Sequence, residues 1–110
     1  MNKTENSTEE LPYLRFPRGL LEKPEYRNVP DLSKLLYMCM LERLMKCRFY
    51  DEAEERGGWF VNYTNQEVCS QFGCSPGKAT RAMKGLEDAG LIHRKRIGLG
   101  MPDRIYPHTP

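Results

Sequence analysis

The chain has 110 residues, with 17 Lys and Arg against 15 Asp and Glu, and a formal net charge of +2. This length suits one domain with a modest core and excludes two lobes with a catalytic cleft between them. The longest apolar run is far shorter than the roughly 18 residues that a membrane span needs, and no signal peptide precedes it. We therefore expect a small cytoplasmic protein that does not contact the membrane.

Positive charge is concentrated in the last third of the chain. From residue 75 onwards, seven Lys and Arg stand against three Asp and Glu, a net charge of +4, whereas the preceding residues carry ten against twelve, a net charge of −2. Such an asymmetry is the electrostatic pattern of a surface that binds nucleic acid.

The N-terminal quarter changes character near residue 11. Residues 1–10 are polar and charged without an apolar period, which predicts a disordered tail. Residues 11–26 place apolar side chains among three prolines, which predicts a short strand and a one-turn helix lying against the domain.

The longest predicted helix runs from Leu32 to about Arg48, with Asp31 or Ser33 as its cap. Apolar residues cover more than one of its sides, and a helix of this kind is buried on more than one side. Either the N-terminal segment wraps it or a second subunit covers part of it. The second alternative predicts a homodimer whose interface contains Met38, Leu41 and Met45.

Residues 49–57 carry several acidic side chains and are predicted to form an acidic surface connection. Residues 59–63 are predicted to form a short strand, placed to pair with a hairpin near the C-terminus.

A helix-turn-helix follows. Thr64 and Glu67 have the spacing of a capping box, and Gly73 provides the left-handed residue that ends the first helix. Ser75 is a strong N-cap with Pro76 at the first helical position, so the second helix is predicted to run to Ala89, before Gly90.

The second helix has one narrow apolar stripe and an opposite face that carries cations. Lys and Arg on the N-terminal half of such a helix suit major-groove reading, although on an isolated helix they would more often be an ordinary solvated face. The predicted DNA-binding residues of this recognition helix are Ser75, Gly77, Lys78, Thr80, Arg81 and Lys84. Gly85 is unexpected within the helix, where it costs roughly 1 kcal/mol relative to alanine.

The C-terminal region predicts a basic hairpin, with a strand over 91–97, a glycine-rich tip over 98–103 and a returning strand over 104–106. A basic hairpin directly after a helix-turn-helix is typical of a wing that contacts phosphates. The predicted wing contacts are Arg94, Lys95, Arg96, Gly98, Gly100 and Arg104. The predicted fold is therefore mainly α with a small β wing, a winged helix-turn-helix over residues 11–106.

The remaining residues indicate no chemistry. The four cysteines lack zinc-pair spacing and are expected to be reduced residues in or near the core. His93 and His108 are isolated in the sequence and are expected to be solvated. No nucleophile and base pattern or phosphate loop is evident, so we expect neither an enzyme nor a bound metal or cofactor.

Six segments carry a family resemblance: FPRGLL at 16–21, KLLY at 34–37, LERL at 41–44, YTNQE at 63–67, GLI at 90–92, and RKRIGLG at 94–100 with Pro102 and IY at 105–106. They resemble the N-terminal domain of plasmid replication initiators of the RepA_N type, and the resemblance covers residues 11–106. The wing is the most specific of these pieces.

The resemblance implies sequence-specific binding to double-stranded DNA at repeated sites of a plasmid origin, often as a dimer. It also implies a separate C-terminal domain that would contact host replication proteins, with residues 107–110 as the start of a linker to it. Two alternatives stay open: a transcriptional repressor with the same fold, and a winged helix used as a protein-interaction module.

Overall fold

The computed structural model describes residues 14–46, 49–54 and 58–110. Its helices are α1 (Arg18–Glu22), α2 (Asp31–Lys46), α3 (Asn65–Phe72) and α4 (Pro76–Asp88), with a 3₁₀ turn at Pro24–Tyr26. Its strands are β1 (Phe49–Tyr50), β2 (Trp59–Phe60), β3 (Ile92–Lys95) and β4 (Arg104–Pro107). The architecture is a winged helix-turn-helix, as the sequence predicts.

The helix-turn-helix forms at the boundaries that its capping residues predict. Thr64 and Glu67 make both hydrogen bonds of the capping box, and Gly73 adopts a left-handed conformation with φ of 62° at the end of α3. The Ser75 side chain accepts a hydrogen bond from the backbone N–H of Lys78, with Pro76 at the first position of α4. These local signals are satisfied within a few residues of chain, which is why they predict the boundaries well.

The core lies between α2, the helix-turn-helix and the wing. Leu36, Tyr37 and Met40 of α2 are fully buried, as are the side chains of Val68, Met83, Leu86, Leu91, Ile92, Ile105 and Tyr106. The apolar stripe of α4 points into this core, so its charged face is exposed.

Gly85 lies where α4 packs closely against Ser33 of α2 and Pro30 before it. The buried Ser33 hydroxyl donates a hydrogen bond of 2.8 Å to the Ala82 carbonyl, so Ser33 joins the two helices and is not the predicted cap. A Cβ atom at Gly85 would lie 3.0 Å from the Ser33 Oγ atom and 3.5 Å from Pro30. The glycine is therefore explained by this approach, which a side chain would obstruct.

The sheets are both small and antiparallel. β1 pairs with β2, with Phe49 opposite Phe60, and β3 pairs with β4 to form the wing. Val61, directly after β2, bridges to Ile105 of β4. This bridge confirms the predicted pairing of the 59–63 segment with the wing, whereas the β1–β2 ladder was not predicted.

The segment after α2 differs from its prediction. Part of it is β1, and the Asp51 side chain is only 9% exposed because it lies against the wing. The prediction of an acidic surface connection is therefore wrong for Asp51. Aromatic pairs pack across β1 and β2, with ring centroids 5.7 Å apart for Phe49 and Phe60. The prediction rested on the acidic residues of this segment and did not consider its aromatic ones.

Two predictions at the ends of the domain also need correction. Residues 14–26 contain α1 and the 3₁₀ turn but no strand, since Pro17 and Pro24 precede or open helical turns. β4 extends to Pro107, and the His108 N–H donates to the Leu91 carbonyl at 2.8 Å, so residues 107 and 108 belong to the domain and not to a linker. The predicted disordered tail at 1–10, and Cys47 and Arg48, which were predicted to end the long helix, lie outside the described residues.

Candidate nucleic-acid interface

The exposed face of α4 is the first part of the site. Burial of Ala79, Ala82, Met83 and Leu86 fixes the rotation of the helix, so the predicted recognition residues Ser75, Gly77, Lys78, Thr80, Arg81 and Lys84 are all exposed. Lys78 and Arg81 make no ion pair within the described residues. Lys84 pairs with Asp88 at 3.3 Å, but both side chains are more than half exposed, so the pair contributes little.

Asn65 is an exposed residue beside this face that the sequence analysis did not select. Its side-chain amide donates a 3.0 Å hydrogen bond to the Thr80 hydroxyl, which itself donates to the Pro76 carbonyl at 3.0 Å. The start of α3 is thereby joined to the first turns of α4. Asn65 is the first residue of α3 and Thr80 is the fifth of α4, so this contact depends on how the two helices pack and not on local spacing.

The wing is the second part of the site, and three of its four predicted cations have internal partners. Arg94 pairs with Glu87 of α4 at 2.8 Å. Lys95 and Arg104, which face each other across the wing, both pair with Asp51, at 2.9 and 3.2 Å. Arg96 is exposed and has no ion pair in the part of the chain that the structure describes.

These partners alter the electrostatics of the wing. The Lys95 ammonium group and the Tyr106 hydroxyl hydrogen-bond to Asp51 and hold the pKa of its carboxyl well below the usual range. The bond to Asp51 in turn raises the pKa of the Lys95 side chain. Arg94 lowers the pKa of Glu87 in the same way. The side chains of Asp51, Glu87 and Lys95 are therefore charged at neutral pH. The two carboxylates make the wing less positive than its sequence alone indicates.

The tip of the wing projects apolar side chains. The Met101 N–H donates to the Gly98 carbonyl at 3.2 Å, and Gly100 has φ of 77°, a conformation that favours glycine. Leu99 between the two glycines is 93% exposed and Met101 is 59% exposed. The Asn62 side chain donates to the Asp103 carbonyl at 3.2 Å and so connects the base of the tip to the body of the domain.

The two histidines form part of the wing's support, which corrects the expectation that they are isolated and solvated. The His93 ring lies 4.6 Å from the Tyr106 ring and 4.9 Å from the His108 ring, stacked on both. Its Nδ1 atom lies 2.8 Å from His108 Nε2, and its Nε2 atom lies 3.1 Å from Glu54. The pairing of β3 with β4 brings His93, Tyr106 and His108 together, whereas Glu54 reaches His93 from the segment after β1.

The predicted dimer residues differ in exposure. Met38 is 8% exposed in the single chain, Leu41 is half-buried and Met45 is 53% exposed. Residues 14–17 lie beside them and leave an open groove of about 740 Å³ along α2. Met38 thus has cover from its own chain, and any subunit interface here must rest on Leu41, Met45 and the exposed Phe16.

The cysteines lie in or near the core where they are described. Cys39 is buried, Cys69 and Cys74 are half-buried, all three are free thiols, and Cys47 lies outside the described residues. Burial raises the pKa of the Cys39 thiol. Over the described residues, no cluster of His, Cys, Asp and Glu could hold a metal ion.

None of the described helices is both long and apolar enough to cross a bilayer.

Comparison with known proteins gives one family and several structures. The family model described as "Replication initiator protein A (RepA) N-terminus" matches residues 12–109. Comparison with curated protein sequences finds no match.

Similar solved structures include "N-Terminal domain of DNA binding protein" and "Structure of Rep-DNA complex". Each has a TM-score of 0.73 and 25% identity, and the match covers 100% of this chain and 83% or 84% of the other. A third, "Structure of MDR initiator", has a TM-score of 0.72 and 21% identity, covers 100% of this chain and 86% of that one, and supports the fold alone. With the family model matched over nearly the whole chain, this protein belongs to the family of replication initiator protein A N-terminal domains.

Proposed function

We propose that this domain binds double-stranded DNA sequence-specifically for a plasmid replication initiator, at repeated sites of the origin. The observation that carries the proposal is the exposed face of α4, where Lys78 and Arg81 have no ion pair within the described residues. Support comes from the similar structure described as a Rep-DNA complex and from the initiator family itself. The domain acts as a binding module rather than an enzyme.

In this proposal α4 is the recognition helix. Its first turns lie in the major groove, with Lys78, Arg81 and Lys84 directed at base edges and phosphates. Ser75, Gly77 and Thr80 line the same face, and a Cβ atom at Gly77 would meet only the Arg81 side chain, at 3.4 Å. The small residues allow the helix backbone to approach the DNA closely.

The wing supplies sequence-independent contacts. Arg96 is its most available cation, and Gly98 and Gly100 shape the exposed tip. Arg94, Lys95 and Arg104 lie on the same hairpin but are paired internally.

Salt dependence tests the proposal. With Lys78, Lys84 and Arg96 each neutralising one phosphate, log K should fall with log salt with a slope of about −3 per protomer. Fluorescence anisotropy with a labelled random-sequence duplex would measure the salt dependence of the affinity. Selection of tighter sites from a random pool would measure the sequence specificity. A slope near zero, or the absence of any selected sequence, would contradict it.

We also propose a homodimer that uses the α2 groove, because a two-fold dimer would present two recognition helices to paired half-sites. The groove is apolar, with Leu14, Phe16, Leu41 and Met45 in its walls, and a second copy would cover these side chains.

A further inference from the structure

Asp51 lies against the wing and binds both of its strands at the Lys95–Arg104 pair, which is the pair next to the tip. A single carboxylate oxygen, Oδ2, accepts from Lys95 of β3 at 2.9 Å, from Arg104 of β4 at 3.2 Å and from the Tyr106 hydroxyl at 2.8 Å. The other oxygen, Oδ1, accepts from the Ala53 backbone N–H at 3.0 Å. Both oxygens are engaged, so the carboxylate is fixed.

The two cations are restrained by this arrangement. The Arg104 guanidinium group also lies 4.6 Å from the centre of the Phe60 ring, which holds it over the body of the domain. Lys95 and Arg104 remain 41% and 34% exposed, so solvent and phosphate can reach them. Their charge, however, is already shared with a carboxylate that is 9% exposed.

A phosphate contact strengthens binding through the counterions that the neutralised phosphate releases. A cation paired with a fixed carboxylate contributes less of this term, because it must leave its partner or bring that negative charge close to the DNA. Arg96 follows Lys95 directly but has no ion pair among the residues that the structure describes. Lys95 is therefore paired with a carboxylate, whereas its neighbour Arg96 is not within the described residues.

We propose that Asp51 is a specificity-determining residue that withholds Lys95 and Arg104 from the DNA phosphates. It lowers affinity for random DNA and leaves discrimination to α4, since the quantity that matters for a DNA-binding protein is the ratio of specific to non-specific affinity. This inference rests on the proposed DNA-binding function. It assigns Asp51 a role that does not require contact with DNA.

The first test compares the two neighbouring cations. Affinity for a labelled random-sequence duplex is measured by anisotropy across a salt series for the unmodified domain, Lys95→Gln and Arg96→Gln. Arg96→Gln should reduce the magnitude of the salt slope by about 0.9, the value for one phosphate contact. Lys95→Gln should reduce it by clearly less. Equal reductions by the two changes would overturn the proposal.

The second test releases the cations. Asp51→Asn should steepen the slope by about 1 to 2, because one or two further phosphates are then neutralised. Adding Lys95→Gln to Asp51→Asn should reduce the magnitude of the salt slope again, by about 0.9. Glu52→Gln removes an exposed neighbouring acid and controls for the change in net charge; it should move the slope less than Asp51→Asn does.

The outcomes separate the two proposals. A folded Asp51→Asn domain with an unchanged or shallower slope overturns the role of Asp51 but leaves DNA binding intact. If the unmodified domain itself shows no salt-dependent binding, the proposed function fails. If circular dichroism shows that Asp51→Asn does not fold, the comparison of Lys95→Gln with Arg96→Gln decides the question alone.

Discussion

Arg43 shows how single side chains connect the parts of this domain. Its guanidinium group donates to the Asn62 carbonyl at 2.6 Å, pairs with Glu67 at 3.0 Å and lies 4.0 Å from the centre of the Tyr63 ring. Because Glu67 completes the capping box of α3, Arg43 links α2 to the start of the helix-turn-helix. Asp51 links the β1–β2 hairpin to the wing in the same manner.

Asp51 also predicts how stability depends on pH. Its carboxyl pKa is lower in the folded chain than the unfolded value of about 3.9. Such a group stabilises the fold above the unfolded pKa, and the stabilisation is lost as pH falls through the folded pKa. The melting temperature of the unmodified domain should exceed that of Asp51→Asn at neutral pH, and the gap should narrow below about pH 4.

Thermal unfolding followed by circular dichroism at several pH values would measure this gap. Glu52→Gln serves as the control, because Glu52 is exposed. The melting temperatures of the unmodified domain and of Glu52→Gln should differ little at each pH. A gap between the unmodified domain and Asp51→Asn that stays constant from neutral to acid pH would contradict the assignment.

At the scale of elements, the two faces of α4 have different roles. One face packs against α2 closely enough to require Gly85, and the other is left exposed for the proposed contacts with DNA. Its orientation therefore depends on the α2 contact as much as on its own cap.

Gly85→Ala tests the α2 contact. An exposed helical glycine replaced by alanine would gain roughly 1 kcal/mol, but overpacking typically costs about 1–3 kcal/mol. We expect the free energy of unfolding to fall, by up to about 2 kcal/mol, because Ser33 is held by Ala82 and cannot move aside. Denaturant unfolding would measure the change.

Ser33→Ala provides the matched background for this measurement. It removes the Oγ atom that the new methyl group would meet, so Gly85→Ala should be less costly in the Ser33→Ala protein than in the unmodified one. Equal costs in the two backgrounds would show that Gly85 is not required by this contact.

Substitutions in the recognition helix and in the wing should differ in how they change the affinity for specific and random DNA. Arg81→Ala should cost on the order of 1–3 kcal/mol on a site recovered by selection and relax discrimination there, because a base contact is lost. Arg96→Ala should weaken binding to the selected site and to random DNA alike, because it removes a phosphate contact. Anisotropy titrations of both duplexes would measure this. Equal losses on both duplexes for Arg81→Ala would exclude α4 as the specificity element.

At the scale of the whole molecule, the groove along α2 is open in the single chain. The chain buries Met38 on its own, so the apolar surface available to a second copy centres on Met45 and Phe16, which are 53% and 45% exposed. A symmetric dimer would use this patch twice and place two wings on half-sites separated by the DNA repeat of about 34–36 Å or a multiple of it.

Met45→Glu should therefore produce a folded monomer with weaker binding to paired sites, since it places a charge in the apolar contact. Sedimentation of the free and DNA-bound domain would measure the association state. Leu99→Glu makes the same change at an apolar residue that is 93% exposed on the wing tip and should leave the free dimer intact. A domain that sediments as a monomer both free and on DNA would rule the dimer out.

The sequence alone determined the helix-turn-helix and its exposed face. The signals of Thr64, Gly73, Ser75 and Pro76 act on backbone groups a few residues away, so they predict helix boundaries without knowledge of the rest of the fold. The apolar stripe of α4 likewise indicated which side would be buried. The family resemblance rested on segments of α1 and α2, on the start of α3, and on the residues from 90 through the wing.

Only the tertiary structure decided which charges remain available. Asp51 meets Lys95 and Arg104 across 44 and 53 residues of chain, and His93 meets Glu54 across 39. Gly85 is explained by the approach of Ser33 and Pro30, which lie in α2 and just before it. A count of cations on the wing cannot anticipate such pairs, because they depend on how β1, β2 and the wing pack together. Residue types and local spacing determine the elements, whereas the partners of their exposed side chains depend on contacts between distant segments.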